Sequence, residues 1–204
     1  MTLEMSETFL PSLFIRSFWQ AASQEMGVYS LNMILINAGL SKFVEEEEIL
    51  PVSGQVSDNE FGLFQRAMRE YFGRGARGIL TRTGRGTWKI MVKNLSRRQA
   101  LLMEFIHYLP FSYRTWLVLN QLRALMTCQG GWTQVVREGQ DLYYLDCSGL
   151  GIGEQNVGEP ACWTMLGLIE GALESVTQRA FDVEEVSCRS AGSEACKFRI
   201  RFIA

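Results

Sequence analysis

Long apolar runs are missing from this 204-residue sequence. Residues 31–37 form a short apolar segment that contains two amides, far below the ~20 apolar residues that a membrane-spanning helix needs. Residues 1–7 lack the basic start of a secretion signal. We therefore expect a cytoplasmic protein with no membrane span.

A strong charge of one sign is missing as well, because the formal net charge is −2. The whole molecule therefore has no strong attraction to nucleic acid or to an anionic membrane. Ten of the twenty Lys and Arg residues nevertheless lie between Arg66 and Arg98, against the single acid Glu70. This segment is either a solvated basic helical face or a patch that meets an anionic group of a ligand or partner.

The chain contains only five cysteines, and this small, odd number argues against a disulfide framework. Three of them, Cys162, Cys188 and Cys196, fall in the last quarter of the chain together with Glu185. Thiolates combined with one harder oxygen are ligands that hold zinc in a closed site. The alternative is that these are ordinary buried cysteines.

Internal repeats and low-complexity linkers are absent, which favours a single domain over residues 1–204. Residues 1–129 show mainly helical periodicity, with capping boxes at 57–60 and 96–99. Residues 130–204 change to a ββαββ pattern. N-terminal helices packed with an antiparallel ββαββ unit predict an α+β fold. We expect strands at 132–137, 142–147, 181–188 and 195–203, a helix at 160–177, and loops at 45–54 and 147–159.

The glycine-rich residues 73–78 match the pattern G-x-G-x-x-G in letters only. They follow a helix rather than a strand, and no βαβ unit surrounds them, so the dinucleotide-binding interpretation fails. The glycines are better explained by a kink or by close helix packing.

The predicted elements place the four candidate ligands near one another, with one geometric difficulty. Cys188 and Cys196 lie at the two ends of the connection between the last strands. Cys162 lies in the first turn of the preceding helix, where free amides favour a thiolate. Glu185 precedes Cys188 by three residues, and such residues point to opposite faces of a regular strand. The site therefore needs a bulge, a sharp twist or the reach of the glutamate.

The charge of such a site requires cations nearby. Three thiolates and one carboxylate around a divalent cation leave a net charge of about −2, summed over the ligand types. Arg189 and Lys197 directly follow two of the ligands and are candidates to offset it. Four protein ligands leave no open position, so the zinc would be structural. Cys147 is a substitute ligand if Glu185 points away.

Aromatic residues and the single histidine provide material for a ligand pocket, which typically combines apolar walls with few polar groups. A plain structural role in the core is the alternative for the aromatic residues. For the histidine the alternatives are a core or rim position, a polar anchor in a cavity, or an axial ligand to a tetrapyrrole metal. The candidate ligand-binding residues are Trp88, His107, Tyr108, Tyr113, Trp116 and Trp132.

The segment Cys162 … Glu185-x-x-Cys188-x7-Cys196-x-Phe198 resembles the 4-vinyl reductase domain family. That family includes bacteriochlorophyll-synthesis proteins and the sensory domains of phenol-responsive activators. The resemblance is strongest over residues 130–204, and it implies that Cys162, Glu185, Cys188 and Cys196 bind zinc. More remotely, the family resembles the ligand-binding superfamily of the TRAPP subunits, which implies a similar fold, a homodimer and an apolar cavity.

The resemblance leaves more than one function open. The leading hypothesis is a non-catalytic sensor or carrier for an apolar, aromatic or tetrapyrrole ligand, with structural zinc. The alternative is a 4-vinyl reductase, or an accessory factor, acting on a chlorophyll precursor, although neither a nicotinamide nor a flavin fingerprint is found. A third possibility is an interaction scaffold. Because the chain ends where the phenol sensors continue into further domains, we expect no direct DNA-binding domain.

Overall fold

A computed structural model describes residues 9–44, 55–127, 132–139, 141–147 and 161–203. The described chain is α+β, as predicted, with helices followed by a four-stranded antiparallel sheet. The predicted loop at 45–54 and most of the one at 147–159 lie outside the described residues. The α-helices are α1 (Ser12–Met26), α2 (Val28–Asn37), α3 (Asp58–Phe72), α4 (Ala76–Lys93), α5 (Arg97–Ile106), α6 (Phe111–Met126) and α7 (Trp163–Glu174).

Local sequence signals set the ends of several helices. Ser57 caps α3: the Glu60 amide donates to Ser57 Oγ over 3.3 Å, and the Ser57 amide donates to the Glu60 carboxylate over 2.9 Å. The second predicted capping box is confirmed at the start of α5. Gly39 adopts a φ of 73° just beyond α2, in the left-handed region that glycine occupies without a side-chain penalty.

The first half of the glycine-rich segment, residues 73–75, forms a break between α3 and α4, and residues 76–78 begin α4. Gly73 has a φ of 52° and begins a short 3₁₀ turn over Gly73–Gly75. This confirms the predicted kink. The basic segment that follows lies on α4, where Arg82 pairs with Glu25 and Arg85 with Glu170. Acids of neighbouring helices therefore offset part of the basic face.

Close helix packing arises further along α4, where it crosses α7 at glycines. A Cβ added to Gly84 would lie 2.3 Å from the Thr164 carbonyl oxygen, and one added to Gly167 would lie 2.1 Å from that of Thr81. Neither position has room for a side chain, so the two backbones are in direct contact. The Trp88 indole then donates to Ser175 Oγ over 3.2 Å and links the helices again.

The sheet consists of two hairpins joined through α7. Its order is β1-β2-β4-β3, with every neighbouring pair antiparallel. One face packs against helices, and the inward residues include Tyr144, Phe198 and Ile200, all fully buried. Among the described residues, no helix combines the length and apolar character required to cross a bilayer. The strands are β1 (Thr133–Glu138), β2 (Asp141–Asp146), β3 (Phe181–Ser187) and β4 (Cys196–Phe202).

An aromatic cluster fills the space between α1 and α3. Phe18 contacts Phe61 and Phe64 edge-to-face, with ring centroids 4.8 and 5.6 Å apart, and Trp19 contacts Phe64 over 4.8 Å. Such pairs contribute beyond the burial of their area. The cluster is part of one continuous hydrophobic core, which also contains Tyr144 and Phe198 of the sheet. Whether residues 1–204 form a single domain with a TRAPP-subunit-like fold stays a prediction.

Candidate functional site

The last two strands contain a β-bulge beside two of the predicted ligands. Glu185 pairs with Phe198, and Ser187 pairs with Lys197. One residue of β3 between these pairs is therefore extra, and it shifts the alternation of the strand. The bulge resolves the difficulty that the sequence presented, because Glu185 and Cys188 now reach the same site.

Three sulfur atoms meet at this site. The Sγ of Cys162, at the start of α7, lies 3.5 Å from that of Cys188 and 3.2 Å from that of Cys196. The sulfurs of Cys188 and Cys196 are 3.8 Å apart. One carboxylate oxygen of Glu185 completes a group whose ligand atoms all lie within 4.8 Å of one another. The structure thus brings together all four candidate ligands.

The geometry of this group fits a tetrahedral metal. Zinc–sulfur bonds of about 2.3 Å place the sulfurs of a tetrahedral site about 3.8 Å apart. The observed separations of 3.2, 3.5 and 3.8 Å lie at or just below that distance, and the cysteines are free thiols. The Oε1 atom of Glu185 is buried without a hydrogen-bond partner among the described residues. Three sulfurs and one buried carboxylate oxygen are donor atoms that could hold a metal ion, and they are of the types that zinc accepts.

Hydrogen bonds from the surrounding chain orient the ligands. The Cys162 amide donates to Glu185 Oε2 over 3.0 Å, so this oxygen is held while Oε1 remains available. The Arg189 amide donates to the Cys196 sulfur over 3.4 Å. The Ser190 hydroxyl lies 2.9 Å from the Cys188 sulfur. Outer contacts of this kind fix ligand orientation and tune a metal site.

The pKa values of the four acidic side chains are shifted because these groups are close together and mostly buried. Burial raises the pKa of Glu185 to about 8. Hydrogen bonds from Cys162 and Cys196 lower the pKa of Cys188, whereas the hydrogen bond to Cys188 raises the pKa of Cys162 well above its usual value. Protons therefore remain in the cluster when no cation is bound, and a divalent cation would displace them.

The cations expected beside the cluster are engaged elsewhere. The Arg189 guanidinium donates to the Cys147 carbonyl over 3.1 Å, and Lys197 pairs with Glu138 over 3.2 Å. The Cys147 thiol lies 3.4 Å from the Glu194 carbonyl and is not in the cluster. Because Glu185 points inward, no substitute ligand is needed.

A different cation, Arg69 of α3, approaches from the helical part. Burial lowers the pKa of Arg69, and electrostatic attraction to Cys162 and Cys188 opposes this effect. One turn earlier, Gln65 accepts a hydrogen bond from Thr164 Oγ1 over 3.5 Å, which places this face of α3 beside the start of α7. The sequence shows Arg69 only as one member of a basic run, so this electrostatic interaction was not predicted.

The candidate ligand-binding residues do not share one cavity. Trp88 is fully buried between α4 and α7. His107 and Tyr108 are exposed at the end of α5, and Trp132 is half exposed before β1. Only Tyr113 and Trp116 line a common cleft.

This cleft, of about 390 Å³, opens between the start of α6 and the end of the first hairpin. Ser112, Tyr113 and Trp116 form the helical side, and Arg137 and Leu142 form the sheet side. Arg137 and Leu142 are direct partners across β1 and β2, so their side chains point to the same face. Arg137 was not among the predicted site residues, although the alternation of β1 was a signal that could have placed it on this face.

Comparison with known proteins supports part of the sequence interpretation. Residues 152–202 match the family model of the 4-vinyl reductase domain. The match covers the four candidate metal ligands and thus supports the resemblance inferred from their spacing. A search of curated proteins by sequence found no match.

Solved structures of H-NOX domains share the fold of the chain. An oxygen-binding H-NOX domain related to soluble guanylate cyclases superimposes with a TM-score of 0.59 at 14% identity, over 95% of both chains. An S. oneidensis H-NOX protein in the Fe(II)NO state gives 0.55 at 12% identity, over 95% of this chain and 99% of that one. A point mutant of T. tengcongensis H-NOX gives 0.57 at 16% identity, over 95% and 98%. The sequence did not indicate this likeness.

Haem is named for some H-NOX structures, and the residues of this chain do not fit a haem that is held by histidine. A haem iron held by histidine needs an imidazole that points into the haem pocket. The single histidine of the chain, His107, is exposed at the end of α5. The segment that matches the 4-vinyl reductase domain offers sulfur and carboxylate ligands that converge on one point instead.

Proposed function

We propose that this chain is a non-catalytic small-molecule-binding module of the cytoplasm, a sensor or carrier, with a structural zinc in its C-terminal part. The convergence of Cys162, Glu185, Cys188 and Cys196 carries the proposal. The likeness to H-NOX domains, one of them described as oxygen-binding, supports a sensory fold. The proposal concerns an apolar or aromatic ligand, because aromatic side chains line the cleft.

The zinc in this proposal has a structural role. Its four ligands come from the start of α7, the end of β3 and the start of β4. A tetrahedral ion with four protein ligands has no open position for water or substrate. Bound there, zinc would fasten the last hairpin to α7, which in turn packs on α4. This favours a binding module over the reductase alternative.

The small-molecule site that we propose is the cleft beside α6. Tyr113 and Trp116 are one helical turn apart on the same helix and form its aromatic wall. The start of α6 is held in place by Phe111, whose ring contacts Phe202 edge-to-face over 4.8 Å and lies under Arg179 at 4.3 Å. A wall fixed in this way loses little freedom when a flat ligand binds.

The cleft volume favours a small ligand. At about 390 Å³, it lies near the lower end of the ~300–1,000 Å³ typical of ligand pockets. A molecule of one or two rings suits such a site better than a tetrapyrrole. Among the candidate ligands we therefore favour simple aromatic compounds over a tetrapyrrole.

Native mass spectrometry of the protein, purified without chelator, tests the proposal directly. We expect one zinc per chain, a homodimer, and bound aromatic compounds that dissociate on activation. Calorimetric titration with 2-naphthol should then detect binding that Trp116→Ala weakens. Absence of metal from the purified protein would contradict the structural zinc. Failure to bind any aromatic compound would contradict the small-molecule site. Turnover of a divinyl chlorophyllide with reduced nicotinamide would instead favour the reductase.

A further inference from the structure

Charged side chains on the outer face of the sheet form pairs. Lys197 pairs with Glu138, Arg199 with Glu184, and Arg201 with Asp182. In each pair the acid neutralises the charge of the cation, as is common for opposite charges on an exposed sheet face. The outer face therefore offers no free cation among these three residues.

Arg137 lies on the opposite face, toward the helices. Its partner across the hairpin, Leu142, is only 3% exposed, and both residues line the cleft with Tyr113 and Trp116. Within the described ranges, no acidic side chain forms a salt bridge with Arg137. A guanidinium without an acidic partner, beside an apolar floor and an aromatic wall, is prepared to receive an anion from outside the chain.

On this basis we propose that the cleft selects an aromatic carboxylate, with Arg137 as the partner of its carboxylate. This inference rests on the proposed small-molecule function and specifies the ligand class. The flat ring of the ligand packs against Trp116 and Tyr113. The planar guanidinium of Arg137 matches a carboxylate in a two-point contact, which a neutral amide or hydroxyl cannot reproduce. The volume of about 390 Å³ holds one or two fused rings.

The probe pair 2-naphthoate and 2-naphthamide tests the charge requirement, because the two molecules share size and shape. Calorimetric titration of the full chain should show that naphthoate binds at least tenfold more tightly than naphthamide. Arg137→Gln should remove this preference by weakening naphthoate binding at least tenfold while leaving naphthamide unchanged. Amide chemical shifts in a ¹⁵N spectrum should change at the start of α6 and the end of β1.

Arg123→Gln provides the matched control, since Arg123 is exposed on α6, the helix of Tyr113 and Trp116, and does not line the cleft. This variant makes the same change in net charge and should bind naphthoate as the wild type does. Equal binding of the two probes, an unaffected Arg137→Gln, or an equal loss in Arg123→Gln would overturn the inference. If 2-naphthol binds in the cleft but charge has no effect, the small-molecule function stands and the carboxylate inference fails. If no aromatic probe binds, both fail.

Discussion

Glu185 and Cys188 reach the same site although Cys188 comes three positions after Glu185, just beyond the end of β3. In a regular strand, Cys188 would share its face with Glu184 rather than with Glu185. The bulge reverses this relationship: Glu185 enters the sulfur cluster, and Glu184 pairs with Arg199 on the exposed face. The two adjacent glutamates therefore have different roles that can be separated by mutation.

We predict that Glu185→Gln weakens zinc binding by more than the about 10–100-fold caused by loss of an outer hydrogen-bond partner. The reason is that the substitution removes a ligand rather than a supporting contact. Competition with a chromogenic chelator measures the affinity. Glu184→Gln is the matched control and should bind zinc normally. The opposite result, in which Glu184→Gln loses zinc and Glu185→Gln retains it, would rule out the bulged register.

Loss of a sulfur ligand should destabilise the C-terminal part. We predict that Cys196→Ser lowers the midpoint of thermal unfolding, because metal binding energy in such sites is folding energy. A loss of about 4 kcal/mol would lower Tm by about 8–16 °C in a chain of this size. Calorimetry at equal protein concentration measures the shift.

Cys147→Ser is the control for this substitution, because Cys147 is outside the cluster and its thiol lies against the Glu194 carbonyl. It should keep both its zinc and its Tm. A strong chelator should lower the Tm of the wild type and of Cys147→Ser, but not that of Cys196→Ser. Full thermal stability of Cys196→Ser with and without chelator would exclude a structural metal.

Local patterns were sufficient to predict most of the fold. The capping box at Ser57 and the alternation of the last two hairpins depend on neighbours within a few residues, so they are visible in the sequence. The approach of Cys162, Cys188 and Cys196 was also predictable, because they lie at element ends that a hairpin and a helix bring together; their role as zinc ligands stays a prediction. These features needed no knowledge of how distant segments pack.

Long-range packing was not predictable in the same way. Gly84 of α4 allows close packing because Gly167 of α7 lies against it. A single sequence does not show which helix will pack there. Arg69 and Arg137 likewise acquire their surroundings from elements distant in the chain. The expectation that Arg189 and Lys197 would offset the cluster was wrong because sequence adjacency does not fix the direction of a long side chain.

The crossing of α4 and α7 provides a test of packing. We predict that Gly84→Ala destabilises the protein by about 1–3 kcal/mol, the usual cost of overpacking, because the new methyl group would meet the Thr164 carbonyl oxygen at 2.3 Å. In a chain of this size, each kcal/mol of lost stability lowers Tm by about 2–4 °C. Thermal unfolding followed by circular dichroism measures it.

Gly78→Ala on the same helix is the comparison. Its new methyl group would meet only the flexible end of Arg82, at 3.3 Å, so the better helix propensity of alanine should leave stability unchanged or higher by about 0.5–1 kcal/mol. Similar losses in both variants would show that α4 tolerates no alanine for reasons other than the crossing.

Arg69 on α3 interacts electrostatically with Cys162 and Cys188, so its charge should matter for the metal. A zinc site with three thiolates and a carboxylate carries about −2 by its ligand types, so removal of a nearby cation makes protons compete better for the thiolates. We predict that Arg69→Met lowers zinc affinity by about 10–100-fold and raises the pH at which zinc is released, whereas Arg69→Lys restores part of both. Arg66→Met, which removes an exposed arginine paired with Glu70, controls for net charge. Zinc release is measured as a function of pH in all four proteins. Coinciding curves for the wild type and Arg69→Met would refute the role of Arg69.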